Sequence, residues 1–269
     1  MPFTVALHPE VIPIMITSKR LQSYKSVFTH SCEHQLVASY VWNSHVCSVL
    51  HPLLSSAEIT VRNSIDKALV SQGGPGTFWW SATKLKYKSF APGAPVPEVV
   101  QKVRDNFSRA TNTARREKRD RYGNFAWPSH DDIIAKTDFS TWEWMFDAEF
   151  LGPRLIWQSR LGRVLKGPWP TTSVGSTLAQ AGRLVKIVRD TRNRLSHHEP
   201  VWKRNGVTTQ DQAVAHLNEK IDTIIELITL VSPHQVDLLS KNGIILNARR
   251  ICSVDELERL KLIASPITV

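Results

Sequence analysis

LAQAGRLVKIVRDTRNRLSHHEP, residues 178 to 200, sets the reading of the whole chain. Leu178, Ala181, Val185 and Val188 recur at i, i+3, i+7 and i+10, the spacing of one face of an α-helix. Arg192 is the next position on that stripe. A charge in line with apolar residues loses hydration, so Arg192 is expected to be held by a carboxylate, a phosphate or the edge of a cleft. Lys186, Asp190, Asn193 and His197 form the polar flank, which stacks Asn193 and His197 one turn apart. Arg192 and His197 stand about 140° apart around a regular helix. They converge only if the arginine reaches across or the helix loosens, and Pro200, which disfavours helical geometry at Glu199, predicts loosening.

The remaining chain reads as further helices. Leu21, Tyr24 and Phe28 mark a helix from Ser18 to Phe28, with Ser18 as its cap. From Glu33 to about Ala68 an apolar face carries Trp42, Val46, Leu50, Leu53 and Leu54, and Pro52 predicts either two helices or one kinked near His51. Glu58 falls four residues after Leu54 on that face, with Arg62 one turn further on in the favourable order for an ion pair. GGPGTFWW (73 to 80) reads as a loop with aromatic anchors, and APGAPVP (91 to 97) as an internal breaker. A basic helix follows within 97 to 128, with Val99, Val103 and Phe107 on one face and a nearly all-charged second half. Ser129 or Asp131 caps the next helix, ahead of an aromatic cluster at Trp142, Trp144 and Phe146, and Pro153 opens a short helix after it. Val214, Leu217, Ile221, Ile224, Ile228 and Val231 mark a closing helix from about Asp211. The expectation is a mainly α fold, one helical domain over 1 to 231 with a basic insert, and a helical tail over 232 to 269.

Composition narrows the partners. A net charge of +10 and a pI near 9.7 favour a polyanion, nucleic acid before an acidic membrane surface. Cys32, Cys47 and Cys252 make an odd count without CxxC spacing, which predicts neither a disulfide framework nor zinc and suggests a reducing, cytoplasmic setting. Prolines interrupt the apolar N-terminus, which also lacks a basic start, so no signal peptide is expected. The run Ile221 to Val231 carries Asp222 and Glu226 and is too short to span a bilayer.

RNRLSHHEP resembles the Arg-x4-His motif of HEPN domains, in the RNxxxHHEP form of the abortive-infection (Abi-like) branch. EITVRNSIDKAL, residues 58 to 69, is similar to the Glu-x3-Arg-Asn helix of the same branch, a second match far from the first. The resemblance covers about Glu33 to Val231. It implies a helical bundle, metal-independent endoribonuclease activity without a cofactor, and dimerisation that brings two motifs into one cleft. It implies catalytic roles for Arg192, Asn193 and His197, with Glu58, Arg62 and His198 in support. It also implies a toxin or antiphage effector restrained by an antitoxin or a structured non-coding RNA. Where some members carry a tyrosine shortly after the motif histidine, this chain has His198, Glu199 and Pro200.

The chemistry asked of those residues is specific. RNA cleavage without a metal needs a base for the 2′-hydroxyl, a cation for the phosphorane and an acid for the leaving oxygen. Histidine titrates near neutrality, arginine grips two phosphate oxygens, and asparagine orients either group. One motif holds one such histidine, so acid and base together favour two copies. Arg115, Arg116, Lys118, Arg119 and Arg121, near Tyr122, Phe125 and Trp127, are candidates to track an RNA backbone while aromatics stack on bases. Plainer readings stand beside each assignment: a basic helix C-terminus with capping histidines, a structural Glu58–Arg62 pair, and a solvated helix end. Metal ligation by His197, His198 and Glu199 is disfavoured because consecutive side chains diverge around a helix. A catalytically silent RNA-binding module is the alternative function, and a structural interaction protein with incidental charge is the third.

Overall fold

The computed structural model describes residues 16–70, 78–124 and 127–264. Among them the regular structure is helical, with no strand: α1 (Ser18–Lys25), α2 (Glu33–Val70), α3 (Glu98–Tyr122), α4 (His130–Ile134), α5 (Phe139–Trp144), a 3-10 turn (Ala148–Phe150), α6 (Ile156–Val164), α7 (Val174–Ser196), α8 (Gln210–Val231), α9 (Pro233–Lys241), α10 (Ile244–Ile251) and α11 (Val254–Ala264). No helix among the described residues is long and apolar enough to cross a membrane. The N-terminal stretch for which no signal peptide is expected, up to residue 15, and the glycines of the loop at 73 to 77 lie outside the described residues, as does Phe125.

Helix α2 runs unbroken through Pro52. An interior proline removes one hydrogen bond and costs about 3 kcal/mol. Here the carbonyl it leaves without a donor belongs to exposed Ser48, where water can serve, while Leu50, Leu53, Ala57, Val61 and Ile65 are fully buried on the other side. Burial of that stripe holds the helix together where local propensity alone would break it. Glu58 and Arg62 flank the stripe, half-buried. No ion pair between them is formed among the described residues, and Arg62 Nε is buried there with no hydrogen-bond partner.

The chain divides into two compact units. One comprises Met1–Ser55, Asp190–Ile225 and Asp237–Val269; the other comprises Ser56–Arg189 and Glu226–Val236. The division expected at Val231 therefore does not coincide with the one the contacts make. In the first unit, α1 is capped by the Thr17 hydroxyl rather than by Ser18. Tyr24, Phe28, Trp42 and Trp202 pack ring against ring at 4.8 to 5.6 Å, edge to face, a geometry that adds to their burial. Trp42 Nε1 donates to the Ile251 carbonyl at 2.8 Å, and Cys252 and Leu257 are fully buried, so the predicted tail belongs to this core. Burial pushes the Cys47 thiol up to about 11 and Cys252 to about 12, which keeps both protonated.

In the second unit, Trp80 stacks on Phe107 of α3 at 4.5 Å, and Trp79 meets the same ring edge-on at 5.1 Å. Asp66 of α2 anchors this loop and α4 together. It accepts from Trp79 Nε1 at 2.7 Å and lies 2.9 Å from His130 Nε2. A Ser129–Asp132 capping box starts α4, and the two serine hydrogen bonds, with Lys118 behind them, hold the Asp132 carboxyl down at about 2. Val100 replaces Val99 on the buried face of α3. Pro153 does not open α6. It occupies the second position of a turn closed by Leu155 N–H on the Gly152 carbonyl at 3.0 Å, with Arg154 at φ 67, the type II pattern, and Leu155 caps the helix. Buried Arg160 donates to the Ala68 carbonyl at 2.8 Å, satisfying an orphan acceptor at the end of α2.

Gly167 marks the tightest approach. Its N–H donates to the Leu230 carbonyl at 3.0 Å, and a Cβ there would lie 2.0 Å from the Thr229 carbonyl oxygen. Backbone cannot yield as a side chain would. Gly167→Ala should therefore cost about 3 kcal/mol, the upper end for overpacking, read as a lowered urea midpoint. An unchanged midpoint contradicts this packing.

Candidate active site at the C-terminal end of α7

Where α7 ends decides what it displays. Leu178, Ala181, Val185 and Val188 are buried as their spacing predicts, but the stripe then advances by three residues to Thr191, leaving Arg192 exposed. The expectation of an arginine on the core line is thus corrected: a period of 3.6 is filled by steps of three and four, and the last step is the shorter. Thr191 keeps its burial by accepting a hydrogen bond from Lys220 Nζ of α8 at 3.2 Å.

The helix stops at Ser196, four residues before Pro200, so the proline is not what ends it. His198 adopts the left-handed conformation, φ 55. Its N–H donates to the Leu195 carbonyl at 3.0 Å, and the Glu199 N–H donates to the Arg194 carbonyl at 2.9 Å. These paired bonds make a Schellman cap, with histidine at the position glycine usually holds. The backbone caps itself, so the histidine side chains are not used as capping donors and stay exposed.

Side chains sort themselves around that cap. Arg194 pairs with Glu199 at 3.2 Å and donates to the Lys203 carbonyl, fastening the chain that leaves the helix. Val201 N–H donates to Asn43 Oδ1 at 3.3 Å, and Val201 and Trp202 are fully buried, which seats the exit segment. Arg192 turns toward the polar flank, its guanidinium donating to Asn193 Oδ1 at 3.4 Å. The His197 N–H donates to the Asn193 carbonyl at 3.0 Å, placing imidazole and amide one turn apart as the spacing predicts. Arg192 and His197 are both exposed, with Asn193 half-buried between them in sequence.

Lys220 was not legible as part of this site from motif spacing. Its position three residues after Leu217, beside Ile221, was the available signal: a lysine on the edge of an apolar stripe. Burial, reinforced by Arg194 and Arg204 and opposed by Asp190 and Glu219, lowers its pKa from 10.5 to about 8.

Glu58 and Arg62 belong to the other unit, as do the basic residues of α3. Those five do not share one surface. Arg115, Arg116 and Arg119 line one groove with Asn112, Thr113 and Asn124. Lys118 and Arg121 line another, where Glu117, Asp120 and Asp132 also stand. Among the described residues no three His, Cys, Asp or Glu side chains are grouped as metal ligands.

Two outcomes are expected from this geometry. His198→Gly should raise stability by on the order of 0.5–1 kcal/mol, because the left-handed strain it removes exceeds the entropy glycine adds to the unfolded chain; a lower melting temperature contradicts the cap. Lys220 is charged in folded and unfolded chain alike below about pH 8, so its desolvation cost is fully present there. Between about 8 and 10.5 the folded chain has released a proton the unfolded chain still holds, and stability rises with pH. Lys220→Met should flatten that rise in urea midpoints, and equal slopes for parent and variant rule it out. Comparisons with protein-family models, with curated proteins and with solved structures return no match for this chain.

Proposed function

We propose that the chain is a metal-independent endoribonuclease of the HEPN type, resembling abortive-infection proteins, with Arg192, Asn193 and His197 as its catalytic residues. The observation that carries this reading is that the Arg192 guanidinium is drawn onto Asn193, one turn below exposed His197, so all three groups of the motif are offered at one helix end. Nearby positive charge from Arg194 and from buried Lys220 suits a polyanion there.

In this reading His197 takes the 2′-hydroxyl proton, and the 2′-oxygen attacks phosphorus. Arg192 holds the non-bridging oxygens as charge grows on the phosphorane, and Asn193 orients the imidazole or the phosphate. The bond to the 5′-oxygen breaks, that oxygen gains a proton, and a 2′,3′-cyclic phosphate and a 5′-hydroxyl remain. A second copy of the chain supplies the second imidazole, so a homodimer is part of the proposal. His198 supports the site through the cap that sets the position of His197. Restraint by an antitoxin or a regulatory RNA follows from the toxin reading.

Purified protein incubated with total RNA in excess EDTA should generate new 5′-hydroxyl ends. Arg192→Ala and His197→Ala should each slow cleavage by about 10²–10⁴-fold. A His197→Ala variant that cuts as fast as the parent removes the histidine from the mechanism. RNA binding that persists in every variant without cleavage in the parent favours the silent binding module.

A further inference from the structure

The two grooves along the C-terminal half of α3 differ in charge. One, of about 740 Å³, holds three carboxylates. Two of them are paired with lysines: Lys118 with Asp132 at 3.1 Å and Lys136 with Glu117 at 2.7 Å. The other, of about 640 Å³, is lined among the described residues by Asn112, Thr113, Arg115, Arg116, Arg119 and Asn124, none of them acidic. Among the described residues Arg115 and Arg116 make no ion pair, and Arg119 has only the exposed Asp120 at 3.6 Å. Like charges at i and i+4, as at 115 and 119, repel along a helix, so the arrangement costs stability unless an anion enters.

A second feature points the same way. Trp127 is 70 % exposed, and the Arg115 guanidinium lies 4.3 Å from its ring centroid. The tryptophan thus stands next to the arginines, one of which packs on its ring. Its free ring face offers a stacking platform beside a line of cations, and the asparagine and threonine groups provide hydrogen bonds without charge. Arginines lining one groove, with an exposed aromatic ring against one of them, match a strand whose bases are unpaired; a duplex keeps its bases stacked on one another and has none to offer.

We infer that the Arg116–Arg119 groove is a binding site for single-stranded nucleic acid, with phosphates on Arg116 and Arg119 and a base stacked on Trp127. Binding there does not depend on the Arg192–His197 helix end being catalytic.

The test uses the 269-residue chain carrying His197→Ala, in EDTA, so that binding is read without cleavage. The probe is a fluorescein-labelled twelve-nucleotide oligouridylate, followed by anisotropy. Arg116→Ala with Arg119→Ala should weaken binding by at least about tenfold and reduce the salt slope by roughly 1.4, two phosphate contacts on a single strand. Trp127→Ala should cost about tenfold; its side chain is exposed, so the fold should survive, which circular dichroism checks. Lys136→Ala, on the other groove, should change affinity by no more than about threefold. A duplex of equal length should bind at least about tenfold more weakly than the single strand. The inference is overturned if the arginine variants bind like the parent, if Trp127→Ala changes nothing, if the duplex binds as tightly as the single strand, or if polyglutamate competes as well as the oligonucleotide. Loss of binding here with cleavage absent in the His197-containing parent would leave this site standing and remove only the nuclease reading.

Discussion

Helix α2 (Glu33–Val70) supplies the polar partners that fix segments far from it in sequence. Within the first unit, Trp42 donates to the Ile251 carbonyl and Asn43 accepts from Val201. Within the second, Ser56 meets Gln235, Asp66 gathers Trp79 and His130, and Ala68 accepts from Arg160. A buried donor or acceptor left without a partner costs about 1–3 kcal/mol, so each of these bonds makes one placement of a distant segment far better than its neighbours. The fully buried stripe along the same helix provides the nonspecific part of the driving force. Hydrophobic burial keeps the helix whole through Pro52, and the directed hydrogen bonds along it decide where other segments dock.

The C-terminal end of α7 is capped by its own backbone rather than by side chains. Both capping bonds there are backbone to backbone, at the expense of a left-handed histidine. Had the imidazoles capped the helix, they would be committed to its last carbonyls. Arg194 and Glu199 are committed instead, to the segment that leaves the helix, and Arg192 donates to Asn193 Oδ1. Lys220 adds a buried positive charge behind Thr191, a placement with a stability cost that a purely structural residue would not require. In the proposed reading, the arginine, amide and imidazole of this helix end, with buried Lys220 behind Thr191, act on an anion in which a proton must move.

Charge on α3 is divided by the same amphipathic logic. The buried face, Val100, Val103, Phe107, Ala110 and Ala114, sets the rotation of the helix. Once that rotation is set, Lys118 falls beside Asp132, which α4 holds in its capping box, while Arg115, Arg116 and Arg119 line a groove with no carboxylate among its described lining residues, Arg119 having only the exposed Asp120 at 3.6 Å. Neutralisation on one flank and concentration of cations on the other both follow from where the apolar residues are.

Helix existence, the helical class and the grouping of Asn193 with His197 were legible in residue order, because periodicity and i, i+4 spacing are properties of the chain itself. The Ser129 cap was legible for the same reason: a capping box is local. Other features depended on what stands across from a residue. Pro52 stayed inside a helix because one side is buried and the other is wet. Arg192 left the core line because Thr191 found Lys220, from another helix, to satisfy its hydroxyl. Glu58 and Arg62 did not pair although their spacing permits it, since spacing sets reach and surroundings set choice. The termination of α7 at a left-handed histidine, and the sorting of five basic residues into two grooves, needed the tertiary structure, because burial and charge neutralisation are decided by neighbours the linear sequence does not order.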